Sequence, residues 1–147
     1  MTIVVVAAVL MEGSRVLVTQ RPSGSHLAGM WEFPGGKVEP DEDPRSALER
    51  ELREELGIET SVGEIVDVTF HRYPSKSVLL LFYETRLRAS SPSPRCLGVA
   101  DLAWQSASEL VDERFPPADV KILGKVRRLL RKAKGEGQKA GGKESPV

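Results

Sequence analysis

The sequence predicts an α/β (α+β) fold in which a mixed β-sheet lies between helices. Three patterns carry that expectation. The chain opens on apolar, β-branched runs of strand length, Thr2 to Glu12 and Arg15 to Arg21. A charged helix follows after Pro44, with Ala47, Leu48, Leu52 and Leu56 at helical spacing. After further strand-like segments comes a second helical stripe, Val120, Leu123, Val126, Leu129 and Leu130.

In chain order, the first two runs pair around the turn at Gly13-Ser14. Pro22 to Met30 is a loop carrying Ser, Gly and His. Trp31-Glu32-Phe33 is a short strand feeding Pro34-Gly35-Gly36, a turn in which two glycines permit close backbone approach and φ > 0. Asp43 caps the charged helix, Pro44 takes its favoured first position, and Gly57 ends it. Val62–Arg72 and Ser77–Arg88 are two further strands, divided at Tyr73-Pro74-Ser75-Lys76, and Ala89–Arg95 is a loop tip rich in Ser and Pro. Val99–Gln105 is another strand, Ser106 caps a short helical turn to Val111, and Pro116-Pro117 introduce the last helix. One domain is expected over residues 1–133. From Lys134 the chain is mostly Gly, Lys, Gln and Glu, which cannot offset the entropy of folding, so 134–147 is expected to be a disordered basic tail.

A chain of 147 residues suffices for one domain with a real core. Its 40% hydrophobic and 29% charged content is that of a soluble globular protein. Cys96 is the single cysteine, which excludes an intrachain disulfide and fits a reducing compartment; with His26 and His71 it forms no zinc constellation. The apolar start, Ile3 to Met11, is too short to span a bilayer, and no basic residue precedes Arg15 to make a signal peptide. A buried strand, no membrane association and a cytoplasmic location are expected. Net charge is zero but unevenly spread: residues 1–120 hold 12 Lys and Arg against 19 Asp and Glu, a net of −7, and residues 121–147 hold 9 against 2, a net of +7. An acidic body of this kind attracts cations. The basic segment reads as a solvated helix face and tail.

The chemistry concentrates between Gly36 and Ile58. Glu51, Glu54 and Glu55 are three and four residues apart and share one helix face beside the leucine stripe. Like charges at that spacing cost a few tenths of a kcal/mol per pair, so helix stability does not account for them. Clustered carboxylates suit hard cations such as Mg²⁺ or Mn²⁺, which take oxygen ligands. A solvated helix laced by Arg45–Glu49, Glu49–Arg53 and Arg50–Glu54 pairs is the competing reading; the glycine turn and the spacing of Glu42 weigh against it. Gly36, Glu42, Arg50-Glu51-Leu52, Glu54-Glu55 and Gly57-Ile58 together match the Nudix box without a break. Trp31-Glu32-Phe33-Pro34-Gly35-Gly36-Lys37 and Phe115-Pro116-Pro117-Ala118-Asp119 resemble the MutT branch, the nucleoside triphosphate pyrophosphohydrolases, and the resemblance covers roughly residues 2–132.

The resemblance implies an α/β/α sandwich and attack of a metal-activated water on the β-phosphorus of a nucleoside triphosphate, releasing the monophosphate and pyrophosphate. Carried over by position, the Gly35 carbonyl and the side chains of Glu51, Glu54 and Glu55 bind Mg²⁺, with Mn²⁺ as an alternative. Glu42 supports that shell, Arg50 holds a glutamate in place, and Arg21 and Lys37 contact phosphates. Gly98 stands where relatives often carry Glu or His, so a further carboxylate is missing or supplied by a neighbour such as Asp101, and Glu51 or Glu54 is the expected general base. Asp119 occupies a base-reading position. Ionised, it accepts only, favouring exocyclic amines such as N4 of cytosine; protonated in a dry pocket, it pairs with a guanine carbonyl. Phe33 and Phe82 are candidates to stack on the base, and His26 to line the mouth. His71 reads as a strand residue. The implied substrate is an oxidised nucleotide such as 8-oxo-dGTP; the alternatives are CTP or 5-methyl-dCTP, an RNA 5′-triphosphate end, and a non-catalytic nucleotide-binding Nudix module. Monomer and dimer both remain open.

Overall fold

In the computed structural model, which describes residues 1–144, the axis of the sheet is β1 (Thr2–Glu12). Along Thr2–Leu10 it pairs in parallel with β6 (Ser77–Leu87), and β5 (Thr60–Arg72) runs antiparallel on the outer side of β6. Gly13, at φ 58°, turns the chain into β2 (Arg15–Gln20), which pairs antiparallel with β1, with β3 (Trp31–Glu32) and with β7 (Asp101–Gln105). The combination of parallel and antiparallel ladders makes the sheet mixed, as expected.

Alternation along β1 divides the core into two. Val6, Ala8 and Leu10 face α1 (Pro44–Leu56) and pack with Ala47, Leu48, Leu52 and Leu56, all fully buried. Ala7 and Val9 face the other way, onto Ile122, Leu123, Val126 and Leu130 of α2 (Val120–Glu144). Complete burial of each leucine contributes on the order of 2 kcal/mol. The result is the α/β/α sandwich. The limits of α1 follow its sequence signals: Asp43 accepts from the Ser46 amide at 3.0 Å, Pro44 begins the helix, and Gly57 closes it at φ 66° with its amide on the Arg53 carbonyl.

Two expectations need correction. Gly35 and Gly36 are not turn residues with positive φ; with Lys37 they form β4 (Gly35–Lys37), paired antiparallel to Val5–Ala7. Close approach is what requires glycine there. A Cβ on Gly35 would overlap the Val6 carbonyl oxygen, with Val6 C and Ala7 Cα at 2.8 Å, whereas one on Gly36 would meet only the Glu51 carboxylate. On α2, Val120 and Leu129 are partly exposed, and Ile122, absent from the expected stripe, is fully buried. A single 3₁₀ turn, Pro117–Asp119, sets the phase in which the helix meets the sheet. α2 itself continues past Ala133 to Glu144, beyond the boundary at which the tail was expected to begin. Residues 145–147 of that segment lie outside the described residues.

Two cations of α2 are structural. β5 is the edge strand of its half of the sheet. The Lys125 ammonium donates to the Val66 carbonyl at 2.6 Å and Lys121 donates to that of Val68 at 3.0 Å, while Asp67 accepts from both Lys121 and the Val68 amide. Outward-pointing polar groups of the edge are thus satisfied from within the chain.

The two glycines of β4 separate fold from site. Gly35→Ala is expected to cost about 2 kcal/mol or more, because backbone has to move. Gly36→Ala displaces only a side-chain carboxylate, so its midpoint in urea should stay near wild type while turnover falls. Equal midpoints for the two variants would contradict this account.

Candidate active site

A cavity of about 510 Å³ opens beside the N-terminal half of β1. On one side it is lined by Gly35, Gly36 and Lys37 of β4 together with Glu51 and Glu55 of α1. On another lie Pro116, Ala118 and Asp119, at the entry to α2, with Phe33 and Phe82 among the core residues bordering it. Arg21, His26 and Leu27 contribute from the end of β2 and the loop that follows. Nine residues singled out from sequence, Arg21, His26, Phe33, Gly35, Lys37, Glu51, Glu55, Phe82 and Asp119, therefore line one cavity. Glu42, Arg50 and Glu54 do not.

Those three form the scaffold behind it. Arg50 donates through Nε and Nη2 to both carboxylate oxygens of Glu42, at 2.7 and 2.9 Å. Its Nη1 reaches Glu51 at 3.1 Å and Glu54 at 3.3 Å, and Nη2 also meets the Lys37 carbonyl at 3.2 Å. The hydrogen bonds from Arg50, the largest effect, hold the Glu42 carboxyl down at about 2. Glu54 is more than half exposed and takes Arg50 alone.

The lining carboxylates behave in the opposite way. Burial, then the neighbouring Glu51 and Glu32 charges, push Glu55 up to about 8. Burial likewise raises Glu51, against the pull of Arg50. Carboxylates crowded into a desolvated cleft resist their own ionisation unless a cation joins them. Oxygen-only donors, two glutamates and the Gly35 carbonyl, fit a hard divalent ion. Among the described residues, no three His, Cys, Asp or Glu side chains surround a common point, so enclosing an ion requires the glutamates to reorient.

Asp119 is almost fully buried, and burial, reinforced by the Glu32 charge, lifts its carboxyl to about 7. It ends a short 3₁₀ turn just before α2, where a carboxylate can face a helix start, yet it also borders the cavity. Phe33 and Phe82 pack edge to face at 6.1 Å and are themselves core, leaving little of either ring accessible. Gly98 sits directly on Glu55: its amide donates to the Glu55 carbonyl at 3.0 Å, and a Cβ there would lie 3.2 Å from Glu55 Cγ.

Sequence reasoning missed Glu32, Tyr73 and Lys76, all of which line the cavity. Glu32 pairs with Arg21 Nη1 at 3.0 Å, and burial raises its carboxyl. A lone carboxylate between Trp31 and Phe33 was the available signal. Tyr73 and Lys76 flank a turn and carry no local signal. Conversely, part of the basic last helix is spoken for: besides Lys121 and Lys125, Arg127 binds the Leu110 carbonyl and Asp112.

Against known proteins, a family model described as a NUDIX domain matches residues 5–125. The CTP pyrophosphohydrolase of Escherichia coli is 40% identical over 119 residues, covering 81% of this chain and 87% of that protein. The putative 8-oxo-dGTP diphosphatase 2 of Mycobacterium tuberculosis is 39% identical over 132 residues, covering 86% and 89%. The solution structure of the E. coli ORF135 protein matches with a TM-score of 0.73 at 39% identity, over 90% of this chain and 93% of that one.

The buried Asp119 gives stability a pH dependence with a definite sign. Its folded pKa of about 7 lies above the unfolded value of about 3.9, so the fold is penalised progressively as pH rises between the two and unaffected below them. Asp119→Asn is expected to melt several degrees above wild type at pH 8, with the gap closing toward pH 4, as read by calorimetry. A gap that does not change with pH would refute the assignment.

Proposed function

The chain belongs to the NUDIX domain family, and we propose that it is a divalent-cation-dependent pyrophosphohydrolase that converts a nucleoside triphosphate to the monophosphate and pyrophosphate. The observation that carries this reading is the single cavity shared by Glu51, Glu55 and the Gly35 carbonyl with Arg21, Lys37 and Asp119. No described helix is long and apolar enough to cross a membrane.

In this proposal Glu51, Glu55 and the Gly35 carbonyl hold the cation, Mg²⁺ or Mn²⁺, with Glu54 turning in from Arg50. When bound, the cation supplies positive charge against phosphate oxygens and acidifies water. Arg21 and Lys37 bind the phosphates, and Glu32 orients Arg21 through their 3.0 Å pair. Arg50, fixed by Glu42, holds Glu51 at 3.1 Å in a set position. Glu51 or Glu54 accepts a proton from water as its oxygen bonds to the β-phosphorus. The bridging bond from that phosphorus breaks, and its oxygen leaves with the nucleoside monophosphate. Loss of the Glu54 carboxylate is not expected to unfold the protein, because Glu54 is more than half exposed on α1.

Asp119 is proposed to read the base. The leading substrate is an oxidised purine nucleotide such as 8-oxo-dGTP, the activity named for the M. tuberculosis relative. A cytidine triphosphate is the second reading. It is favoured by the carboxylate at position 119, which when ionised accepts from an exocyclic amine, and by the activity named for the E. coli relative. Of the basic segment behind the RNA reading, Lys121, Lys125 and Arg127 are engaged within the fold, while Arg128, Arg131 and Lys132 are exposed.

Product analysis with Mg²⁺ on 8-oxo-dGTP, dGTP, CTP, 5-methyl-dCTP, ATP and a 5′-triphosphate RNA tests the proposal. Pyrophosphate and a nucleoside monophosphate are the expected products, with one base well ahead in kcat/KM. Glu54→Gln should lower turnover by roughly two to four orders of magnitude with the melting temperature intact. Near-normal turnover in that variant removes Glu54 from the machinery. Nucleotide binding without hydrolysis of any panel member would leave a binding module.

A further inference from the structure

One aromatic ring on the cavity wall lies outside the buried core. Tyr73 follows directly after β5, half-buried, and its backbone is pinned by a tight turn in which its amide donates to the Lys76 carbonyl at 2.8 Å. Its ring meets the His26 ring edge to face at 5.4 Å and the His71 ring at 4.5 Å. Tyr73 therefore joins two otherwise separate parts of the wall: the loop after β2 and the turn between β5 and β6. That loop is held in a costly shape. Leu27, beside His26 and itself on the cavity, takes φ 57°, and the His26 carbonyl is gripped by Arg21 Nε at 2.5 Å. Backbone strain kept at a cavity wall is more readily explained by a site than by packing alone.

The chemistry of the ring suits the far end of the substrate rather than the phosphates. Phe33 and Phe82 are core residues with little accessible surface, so they offer a nucleobase only a partial floor. Tyr73 is the half-buried aromatic residue on the cavity, with one apolar face and a hydroxyl that has no hydrogen-bond partner among the described residues. The Asp119 charge is felt at the phenol, adding to burial in raising it, so the ring and the buried carboxylate share one neighbourhood. Base stacking on an aromatic face and a hydrogen bond from a phenol are two interactions that a phosphate group does not use.

We propose that Tyr73 is a specificity-determining residue: its ring covers the nucleobase across from Phe33 and Phe82, and its contact with His26 keeps that cover in place. This rests on the nucleotide reading of the cavity. The alternative is a purely structural ring that ties the loop to the turn, and it makes different demands.

The test compares wild type, Tyr73→Phe and Tyr73→Ala in steady-state kinetics with the preferred nucleotide and a poorer one. Inorganic tripolyphosphate, which has no base, is titrated as a competitor. Tyr73→Ala is expected to raise the nucleotide KM about tenfold and to shrink the kcat/KM ratio between the two nucleotides by a similar factor. The tripolyphosphate inhibition constant should stay within about twofold. Tyr73→Phe, which keeps both ring contacts, should retain the stacking share of KM and lose discrimination only as far as the hydroxyl reads the base. An equal rise for nucleotide and tripolyphosphate, or an unchanged ratio between the nucleotides, overturns the proposal. Should Tyr73→Ala fail to fold, Tyr73→Leu, which fills the space without an aromatic face, replaces it under the same criteria. Should wild type hydrolyse no nucleotide, the functional reading fails on its own; calorimetric binding of nucleotide against tripolyphosphate to the same variants then decides on Tyr73.

Discussion

The guanidinium of Arg50 is the constraint on which the rest of the site depends. It spans Glu42 before α1, Glu51 and Glu54 on the helix, and the Lys37 carbonyl at the end of β4. An isolated surface ion pair is worth little. Here one planar donor satisfies several acceptors that come from three segments, and its geometry fixes how the strand, the connecting loop and the helix stand to one another. Glu51 is thereby held against the space left by the missing side chain of Gly36. The cavity wall and the junction of β4 with α1 are secured by the same group.

Around that anchor, carboxylates divide into two populations. Glu42 is held low by Arg50, whereas Glu51 and Glu55 are raised by burial and Asp119 is raised by burial and by Glu32. Arg21 and Lys37 border the same space, so the cleft carries both signs of charge in a poorly solvated volume. A cleft of that kind binds little on its own and gains when cation and polyanion arrive together.

Much of this was legible because it is local. The limits of α1, its buried stripe and its capping follow from Asp43, Pro44, the leucines and Gly57, all within one segment. The box spacing delivered Glu51 and Glu55 to the cavity and Arg50 with Glu42 to the support behind it. What escaped depends on contacts between distant segments. That Gly35 and Gly36 belong to a strand is decided by their pairing with Val5–Ala7, and nothing near the glycines announces it. The phase of α2, which buries Ile122 and exposes Val120, is set by how its first turn meets the sheet. Tyr73 and Lys76 become cavity residues only because β5 and β6 carry their turn to the loop containing His26.

The lysines that close the edge of β5 have a consequence for the behaviour of the protein in bulk. A long edge strand bearing Ile65, Val68 and Phe70 on partly exposed surface is a template on which further strands grow. Lys121 and Lys125 occupy two of its carbonyls by charge-assisted donation, so the guard lasts only while the last helix stays docked. Replacing both lysines unlocks the edge while leaving the residues that line the cleft in place. Colloidal shelf life and enzymatic competence are therefore governed by different contacts of the same fold.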